Sequence, residues 1–247
     1  MPDDPDAVSG PFSVQVMLAD QNELKLAPGE LSLGADGRLK PVRKSSVVRG
    51  QSNMPGLWFS SVMRKHVAYE SLLERDRMLL LDFDPRTSAY LEQPLKLTYR
   101  AGGKKRVHTP DLLVWQRDGS LVLCNVKSTA NLDRGSFPAQ SEACAQFCEL
   151  ERIDYEVFTE PDGQILENVR WLSGYWWVDF RSSNAYRSMI QALRDEPATV
   201  NDLVVESGEH PLVSRPVLFA ALWSRHFSID LTKPLSNETK VWLSDAN

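Results

Sequence analysis

Two apolar runs joined by a short polar segment, in residues 108–127 (HTPDLLVWQRDGSLVLCNVK), restrict the possible folds of this chain more than any other feature. An Asp-Gly pair between two such runs is a strong signal for a tight turn, so we predict two neighbouring antiparallel strands. Asp111 follows Pro110 on the first run, and Asn125 and Lys127 stand two positions apart on the second. Because side chains two apart in a strand point to the same face, we expect Asp111, Asn125 and Lys127 to lie close together.

The segments around this hairpin predict a mixed sheet. Residues 63–83 have apolar positions at the spacing of an amphipathic helix, which ends at Asp84-Pro85. Patterns in the order β-β-β-α-β then follow, over residues 89–100, 107–116, 121–128, 141–153 and 154–160. Short turns between the first three strands favour antiparallel pairing, and a helix before the last strand allows a parallel one. The predicted fold class is therefore α/β, with an αβββαβ core and a mixed sheet.

A second module is predicted after residue 180. Residues 183–196, 199–208 and 215–227 have helical patterns, and residues 228–243 have the pattern of a hairpin. Three helices followed by a hairpin are typical of a winged-helix-like domain. Its seven basic and eight acidic residues are nearly balanced, so the charge leaves open whether this module binds DNA or a protein.

The positive charges are clustered although the formal net charge is -5. Residues 37–65 contain seven basic residues and no acid, and a second cluster precedes the hairpin. Local basic stripes are typical of phosphate-binding surfaces, and a solvated basic face is the equally weighted alternative. The predicted DNA-binding residues are Arg38, Lys40, Arg43, Lys44, Arg49, Arg64, Lys65, Lys104, Lys105 and Arg106.

Composition favours a cytoplasmic protein. No apolar run approaches the roughly 18 residues that span a bilayer, so no membrane partner is expected. The acidic N-terminal segment does not have the pattern of a secretory signal. Cys124, Cys144 and Cys148 are too few and too odd in number for a disulfide framework.

Acidic side chains in the predicted core indicate a metal site. Burying the charged side chains of Glu70, Asp111 and Lys127 without partners costs on the order of several kcal/mol per group. A hard divalent cation removes that cost for the two acids. Mg²⁺ prefers oxygen ligands, which Glu70, Asp111 and the main-chain carbonyl of Val126 can supply; Mn²⁺ is expected to substitute. Lys127 is placed to hold a metal-activated water or to balance charge on the phosphorane. Glu74, Gln93 and His108 are possible accessory residues.

These residues carry a resemblance to a known family. The frame resembles the restriction-endonuclease-like PD-(D/E)XK fold, and more closely the TnsA-like endonuclease subunit of heteromeric transposases. The matching stretches are HVAYESLLERDRMLLLDFDP, EQPLKL, HTPDLLV, LVLCNVKS, ENVRWLSGY and LWSRHFSIDLTKPLSNETKV. The resemblance covers roughly residues 58–242 and implies a nuclease domain at 55–180, between a β appendage with a basic arm (1–54) and the C-terminal module (181–247).

The resemblance also implies an activity, partners and, for a cytoplasmic bacterial protein, association with the nucleoid when active. It implies metal-dependent cleavage at the 5′ ends of a transposon, on double-stranded DNA, beside a DDE-type transposase and an AAA+ ATPase regulator. Carried over by position, Glu70 and Asp111 are metal ligands and Lys127 is the catalytic lysine. Asn125 stands where the second motif carboxylate is expected, and its amide oxygen is a neutral and weaker ligand.

Two other functions stay open. A catalytically degenerate protein that keeps the nuclease fold to bind DNA and assemble partners is indicated by the amide at Asn125. A free-standing restriction or repair nuclease would cleave DNA without any partner.

Overall fold

The structure, a computed structural model, describes residues 8–20, 22–27, 39–43, 54–194 and 196–244. The chain divides into an N-terminal unit, Met1–Met78 with Arg86–Glu160, and a C-terminal unit, Leu79–Pro85 with Pro161–Asn247. The domain boundaries predicted from the sequence, after residues 54 and 180, stay predictions.

The elements up to residue 160 alternate short strands with two helices. They are β1 (Val8–Leu18), β2 (Glu23–Leu26), β3 (Leu39–Lys40), β4 (Gly56–Ser60), β5 (Lys65–Tyr69), α1 (Leu72–Phe83), β6 (Thr87–Glu92), β7 (Leu95–Ala101), β8 (Lys104–His108), β9 (Leu112–Gln116), β10 (Leu121–Val126), a 3-10 turn (Thr129–Asn131), α2 (Phe137–Glu151) and β11 (Asp154–Phe158).

The predicted mixed sheet is present, with strand order β11-β10-β9-β6. β9 and β10 form the predicted antiparallel hairpin, in which Leu123 pairs with Leu113, and Gly119 takes a positive φ of 88° in the turn. α2 then returns the chain, so that β11 pairs with β10 in parallel, with Asn125 opposite Val157. The strands of this sheet follow α1 in the predicted αβββαβ order, with β7 and β8 inserted between β6 and β9, and the unit is mixed α/β.

Two of the predicted strands are each broken by a proline. Residues 89–100 form β6 and β7, separated at Gln93 and Pro94, and residues 107–116 form β8 and β9, separated at Thr109 and Pro110. A proline lacks the N–H that a ladder requires, so each strand leaves one sheet and enters another at this point. Asp111 was predicted within a strand; it lies instead in this break, just before β9.

The second sheet of the unit has five strands, ordered β2-β1-β7-β8 with β3 paired to β1. The strands predicted as an appendage thus belong to this sheet through β1, which pairs with β7 and places Val14 opposite Leu97. Val14, Leu97, Leu113 of the four-stranded sheet and Phe147 of α2 belong to one buried core cluster. The apolar residues of both sheets therefore meet around α2.

The helix predicted over residues 63–83 is shorter than expected. Residues Lys65–Tyr69 form β5, which pairs antiparallel with β4, and α1 begins only at Leu72. Ser71 Oγ accepts a hydrogen bond from the N–H of Glu74 at 3.2 Å, which caps the helix at this point. Glu70 was placed on the helix by the sequence pattern and lies before it.

The C-terminal unit contains helices and a small sheet. Its elements are α3 (Gly163–Leu172), a 3-10 turn (Ser173–Tyr175), α4 (Asn184–Ala192), β12 (Ala198–Thr199), α5 (Val200–Glu206), α6 (Pro211–Trp223), β13 (Phe227–Ile229) and β14 (Lys240–Leu243). The three predicted helices and the terminal hairpin are present, and the sheet order is β12-β14-β13. Among the described residues, no helix combines the length and apolar character needed to cross a bilayer.

Candidate active site

Asp111 is fixed by its main chain where the strands change sheets. Its N–H donates to the carbonyl of Cys124 at 3.1 Å, and its carbonyl accepts from the N–H of Gln93 at 2.8 Å. Its carboxylate oxygen Oδ2 accepts from the N–H of Val126 at 2.6 Å. The Asp111 side chain is therefore held against Val126, the last residue of β10, which directly precedes Lys127 in the sequence.

The surroundings of Asp111 oppose its ionisation. Its pKa is raised to about 7, mainly by burial and in addition by the negative charges of Glu74 and, to a smaller extent, Glu70. The hydrogen bond from Val126 and the positive charge of Lys127 act in the opposite direction and are too weak to cancel this rise. Four of the residues singled out from the sequence thus interact electrostatically in one place.

Glu74 lies in the first turn of α1 and has a structural role there. Its oxygen Oε2 accepts the N–H of Glu70 at 2.9 Å, and Oε1 accepts the hydroxyl of Ser71 at 2.9 Å. The sequence Ser71-x-x-Glu74 has the pattern of a capping box, but Glu74 accepts the N–H of Glu70 and the hydroxyl of Ser71 in place of the N–H of Ser71. Burial raises the pKa of Glu74, which makes it a second carboxyl near Asp111 whose charge is unfavourable without a cation.

Glu70 is paired with a residue from the basic arm. The guanidinium Nη2 of Arg43 lies 2.6 Å from Glu70 Oε2, and Nε of Arg43 donates to Gln93 Oε1 at 3.2 Å. The N–H of buried Val42 donates to the carbonyl of Gln93 at 2.9 Å, which holds this segment in place. Gln93 itself is buried and has a positive φ of 46°, an uncommon conformation for a residue with a side chain.

Asn125 is fully buried and bonded on both ends of its amide. Its Oδ1 lies 3.0 Å from Nε2 of His108, and its Nδ2 donates to the hydroxyl of Tyr155 at 2.9 Å. Tyr155 in turn donates to Ser141 Oγ of α2 at 2.9 Å. Burial lowers the pKa of His108, which favours the neutral ring as the donor to Asn125.

Lys127 follows β10 and lies on the side of α2. Its N–H donates to the carbonyl of Phe158 at 2.9 Å, and its Nζ is 5.3 Å from the centroid of the Phe137 ring. The ammonium group is close enough to lower the pKa of Asp111 and that of His108. It has no ion-pair partner within 4.0 Å among the described residues.

The chemistry of these side chains fits a hard divalent cation. The negative charges of Glu74 and Glu70 both act on the carboxyl of Asp111, with the charge of Lys127 nearby, and a bound cation is the simplest means of offsetting the repulsion between the acids. Within the part of the chain that the structure describes, no three His, Cys, Asp or Glu side chains are already gathered at metal-binding distance. Loading would therefore require the side chain of Glu70 or Glu74 to leave its present hydrogen bonds.

The predicted DNA-binding residues are not one group. Arg38, Lys44 and Arg49 lie outside the described residues. Arg43 is bonded to Glu70, and the positive charges of Lys40 and Lys65 lie near Glu92, whose pKa they lower against a larger rise from burial. Arg64 takes a positive φ of 55° in the turn between β4 and β5. Lys104, Lys105 and Arg106 are exposed on β8, where they alternate between the two faces of the sheet.

Sequence reasoning missed the partners of Arg43, Asn125 and Glu74. Ser71-x-x-Glu74 carries a readable capping signal, which predicts both the helix start and the orientation of Glu74. Nothing in the local sequence links Arg43 to Glu70, or Asn125 to Tyr155, because these pairs are formed only by the sheet topology.

Comparison with known protein families identifies one match. Residues 84–160, which include Asp111, Asn125 and Lys127, match the family model described as TnsA-like endonuclease N terminal. Comparison with curated proteins finds no relative of significant similarity. The resemblance drawn from the sequence is therefore confirmed over these residues, and this part of the chain is similar to the N-terminal domain of TnsA-like endonucleases.

Proposed function

We propose that this protein is the DNA endonuclease subunit of a heteromeric transposase and that it hydrolyses phosphodiester bonds at the 5′ ends of a transposon. The observation that carries this proposal is that the charges of Glu70, Glu74 and Lys127 all act on Asp111. Asp111 and Lys127 lie in residues 84–160, which match the TnsA-like family, and the two glutamates precede that segment. Mg²⁺ is the proposed cofactor, with Mn²⁺ as a substitute.

Each side chain has a proposed role that its present contacts support. Asp111 is the central metal ligand, since the hydrogen bond from Val126 already fixes its carboxylate. Glu70 is the second ligand, because Glu74 is engaged in the helix cap. A bound divalent cation would supply Lewis-acid activation of the phosphate and a lowered pKa for the attacking water. Lys127 would orient that water or stabilise the charge that develops on the phosphate oxygens.

Asn125 has a different proposed role from that of the carboxylate it replaces. Its amide is shared between His108 and Tyr155, so it holds the end of β10 and the position of Lys127. Any contact of Asn125 Oδ1 with the metal would compete with His108. The third oxygen ligand is then the carbonyl of Val126 or water.

The test uses the full chain with a duplex that carries a transposon end, with and without its DDE-type transposase, in Mg²⁺ or Mn²⁺. Asp111→Asn and Lys127→Ala are each expected to lower 5′-strand cleavage by about 100-fold or more, as for removal of a preorganised catalytic group. Asp118→Asn is the matched control, because Asp118 is an exposed acid in the turn between β9 and β10. Unchanged cleavage by Asp111→Asn would refute this site.

The rival function is a non-catalytic assembly factor with a nuclease fold. It is favoured by the amide at Asn125, which is buried and hydrogen-bonded at both ends and leaves Asp111 as the one carboxylate of the predicted Pro-Asp…x-x-Lys motif. Calorimetric titration with Mn²⁺ distinguishes the two functions. No binding at millimolar Mn²⁺, together with intact affinity for duplex DNA, would favour the assembly factor.

The C-terminal unit supports a proposed partner contact. We propose that α4, β12, α5, α6, β13 and β14 form a winged-helix domain, since this element order and the sheet order β12-β14-β13 suit that architecture. The transposase and an AAA+ ATPase regulator are its proposed partners. Co-purification of the full chain with each of them, compared with a chain that ends at residue 160, tests this assignment.

A further inference from the structure

We propose that the outer face of the five-stranded sheet binds the phosphate backbone of duplex DNA, at a surface separate from the candidate active site. This proposal rests on the proposed function and deepens it, because it assigns where the substrate is held away from the cut. The surface is formed by the side chains of β1, β2, β3, β7 and β8 that point away from the core.

Strand register defines this outer face. In β7 the side chains of Leu95, Leu97 and Tyr99 are buried in the core, so Lys96 and Arg100 point to the other side. The residues opposite them share that side. Lys105 of β8 faces Arg100, and Gln15 of β1 faces both Lys96 on one neighbour and Lys25 of β2 on the other. Lys40 of β3 lies opposite Met17, two positions along β1 from Gln15.

The outer face carries far more positive than negative charge. Its described cations are Lys25, Lys40, Lys96, Arg100 and Lys105, against one acid, Glu23. Glu23 accepts a hydrogen bond from the amide of Gln15. Among the described residues, none of the five cations has an ion-pair partner within 4.0 Å.

Arg100 and Lys105 oppose each other directly across β7 and β8. Like charges in this position destabilise a sheet, and a strand pair selected for stability alone would place an opposite charge there. The guanidinium of Arg100 donates to the carbonyl of Gly103 at 3.0 Å, so its other N–H groups are still available for a ligand. An anionic ligand on this face would remove the repulsion.

The spacing of the cations fits an extended polyanion better than a small anion. Lys25 and Lys96 are two strands apart, roughly 10 Å, and Lys96 and Arg100 are four residues apart, roughly 13 Å. Arg100 and Lys105 lie directly opposite each other and could share one phosphate, but the other cations are too far apart to do so. Their spacing suits the repeated charges of a DNA backbone. Val107 is the one large apolar side chain exposed on this face of β7 and β8, so the surface lacks the apolar centre of a protein interface.

The face leads directly to the candidate active site. β7 begins at Leu95, two residues after Gln93, and β8 ends at His108, three residues before Asp111. Lys96 therefore lies at the end of the face that is near the strand break, and the pair Arg100 and Lys105 lies at the far end. A duplex along the strands would run from the cut toward its flank over roughly 13 Å of basic surface.

β8 provides its own matched control. Lys104 and Arg106 alternate with Lys105, and their partners Ala101 and Tyr99 are buried, so their side chains leave the sheet on the opposite side. There they line a cavity of about 730 Å³ together with Glu142 of α2. Replacing Lys104 and Arg106 therefore removes two positive charges from the same strand, a change in net charge similar to that of the test variant. It leaves the outer face unchanged.

The experiment measures binding of the full chain to a labelled 30-base-pair duplex by fluorescence anisotropy, in EDTA, from 50 to 200 mM salt. We expect the variant Lys96→Gln, Arg100→Gln, Lys105→Gln to bind at least tenfold more weakly at 50 mM salt. The slope of log Kd against the logarithm of the salt concentration should be smaller than the parent slope by about 2 to 3, since each lost phosphate contact lowers the slope by about 0.9. Lys104→Gln with Arg106→Gln should retain at least two thirds of the parent slope.

Two results would overturn the proposal. Parent-like affinity and slope in the triple variant would exclude this face as a DNA surface and leave an acidic protein partner as its occupant. An equal loss in the Lys104 and Arg106 variant would mean that total charge, and not the outer face, governs binding.

Thermal unfolding checks the fold, and the triple variant should be at least as stable because the repulsion between Arg100 and Lys105 is gone. Failure of the nuclease proposal is seen separately, as unchanged cleavage by Asp111→Asn.

Discussion

Asn125 illustrates how far a single residue can be interpreted from the sequence. Its position two before Lys127 predicts which face it points to, and the amide predicts a weaker metal ligand than a carboxylate. The structure shows both ends of that amide in use, by His108 and by Tyr155, which is 30 residues away. A partner so distant in sequence depends on the parallel pairing of β10 and β11, and no local pattern encodes it.

Arg43 carries the first prediction at the residue scale. Its guanidinium lies 2.6 Å from Glu70 Oε2, so a cation that uses Glu70 as a ligand must displace it. Exposed ion pairs of this kind contribute about 0.2–1 kcal/mol. Arg43→Gln should therefore bind Mn²⁺ more tightly than the parent, by a factor of about 1.4 to 5, in calorimetric titration without DNA.

Lys105→Gln is the control for this experiment, since it removes one positive charge from β8 and should leave Mn²⁺ affinity unchanged. Weaker Mn²⁺ binding by Arg43→Gln would contradict displacement and make Arg43 a residue that positions Glu70 for the metal. Glu70→Gln tests the same contact from the other side: trypsin should cut after Arg43 faster in that variant than in the parent, without any metal.

At the scale of elements, periodicity predicted the type of most segments and misjudged their ends. The apolar spacing of residues 63–83 suits a helix, but β5 forms over Lys65–Tyr69 because β4 supplies a strand partner from earlier in the chain. Pro94 and Pro110 were available as signals, since proline is confined to strand ends and edges, and they mark the two strand breaks that position Asp111.

Asn168 carries a prediction about how α3 holds the loop between β13 and β14. It is buried, and its Nδ2 donates to the carbonyls of Leu231 at 2.9 Å and Lys233 at 2.8 Å, while its Oδ1 accepts the N–H of Leu235 at 3.3 Å. Asn168→Ala leaves these main-chain groups without their partner, and we expect a loss of about 2 kcal/mol in the free energy of unfolding. Urea unfolding followed by tryptophan fluorescence measures it.

Gln164→Ala is the matched variant, because Gln164 lies one turn earlier on α3 and its side chain makes a single hydrogen bond among the described residues, to Oδ1 of Asn168 at 3.3 Å. It should cost less than about 0.5 kcal/mol, as for most partly exposed positions. Similar urea midpoints for Asn168→Ala and the parent would show that the loop between β13 and β14 is not held by α3.

At the scale of the whole molecule, the sequence predicted a mixed sheet followed by a helical module, and it could not predict the second sheet. The five-stranded sheet depends on the pairing of β1 with β7, which joins residues about 80 to 90 positions apart in the sequence. Alternation in β1 and β7 indicates strands, but only burial of Val14 and Leu97 against each other selects the partner. The basic outer face is a consequence of that pairing, so charge clustering along the chain could not reveal it.

The two units also differ in how many tryptophans can report their unfolding and in how their stability depends on pH. Five of the seven tryptophans, Trp171, Trp176, Trp177, Trp223 and Trp242, belong to the C-terminal unit. In the same unit, His226 Nε2 lies 2.7 Å from Nη2 of Arg181, and its Nδ1 lies 2.7 Å from the hydroxyl of Tyr186. A guanidinium can only donate, so Nε2 must accept and the ring must be neutral.

Burial, with a smaller contribution from the charge of Arg181, lowers the pKa of His226 below its ordinary value near 6.5. The unfolded chain therefore binds this proton at a higher pH than the folded one, and stability falls as the pH drops below about 6.5, until the folded pKa is reached.

Tryptophan-monitored urea unfolding between pH 7.5 and 5 should show this decline, and His226→Gln should flatten it. His108 of the N-terminal unit has a lowered pKa as well, so its contribution should persist in His226→Gln when unfolding is followed by circular dichroism. An identical pH dependence of the tryptophan signal in parent and variant would exclude His226 as the source.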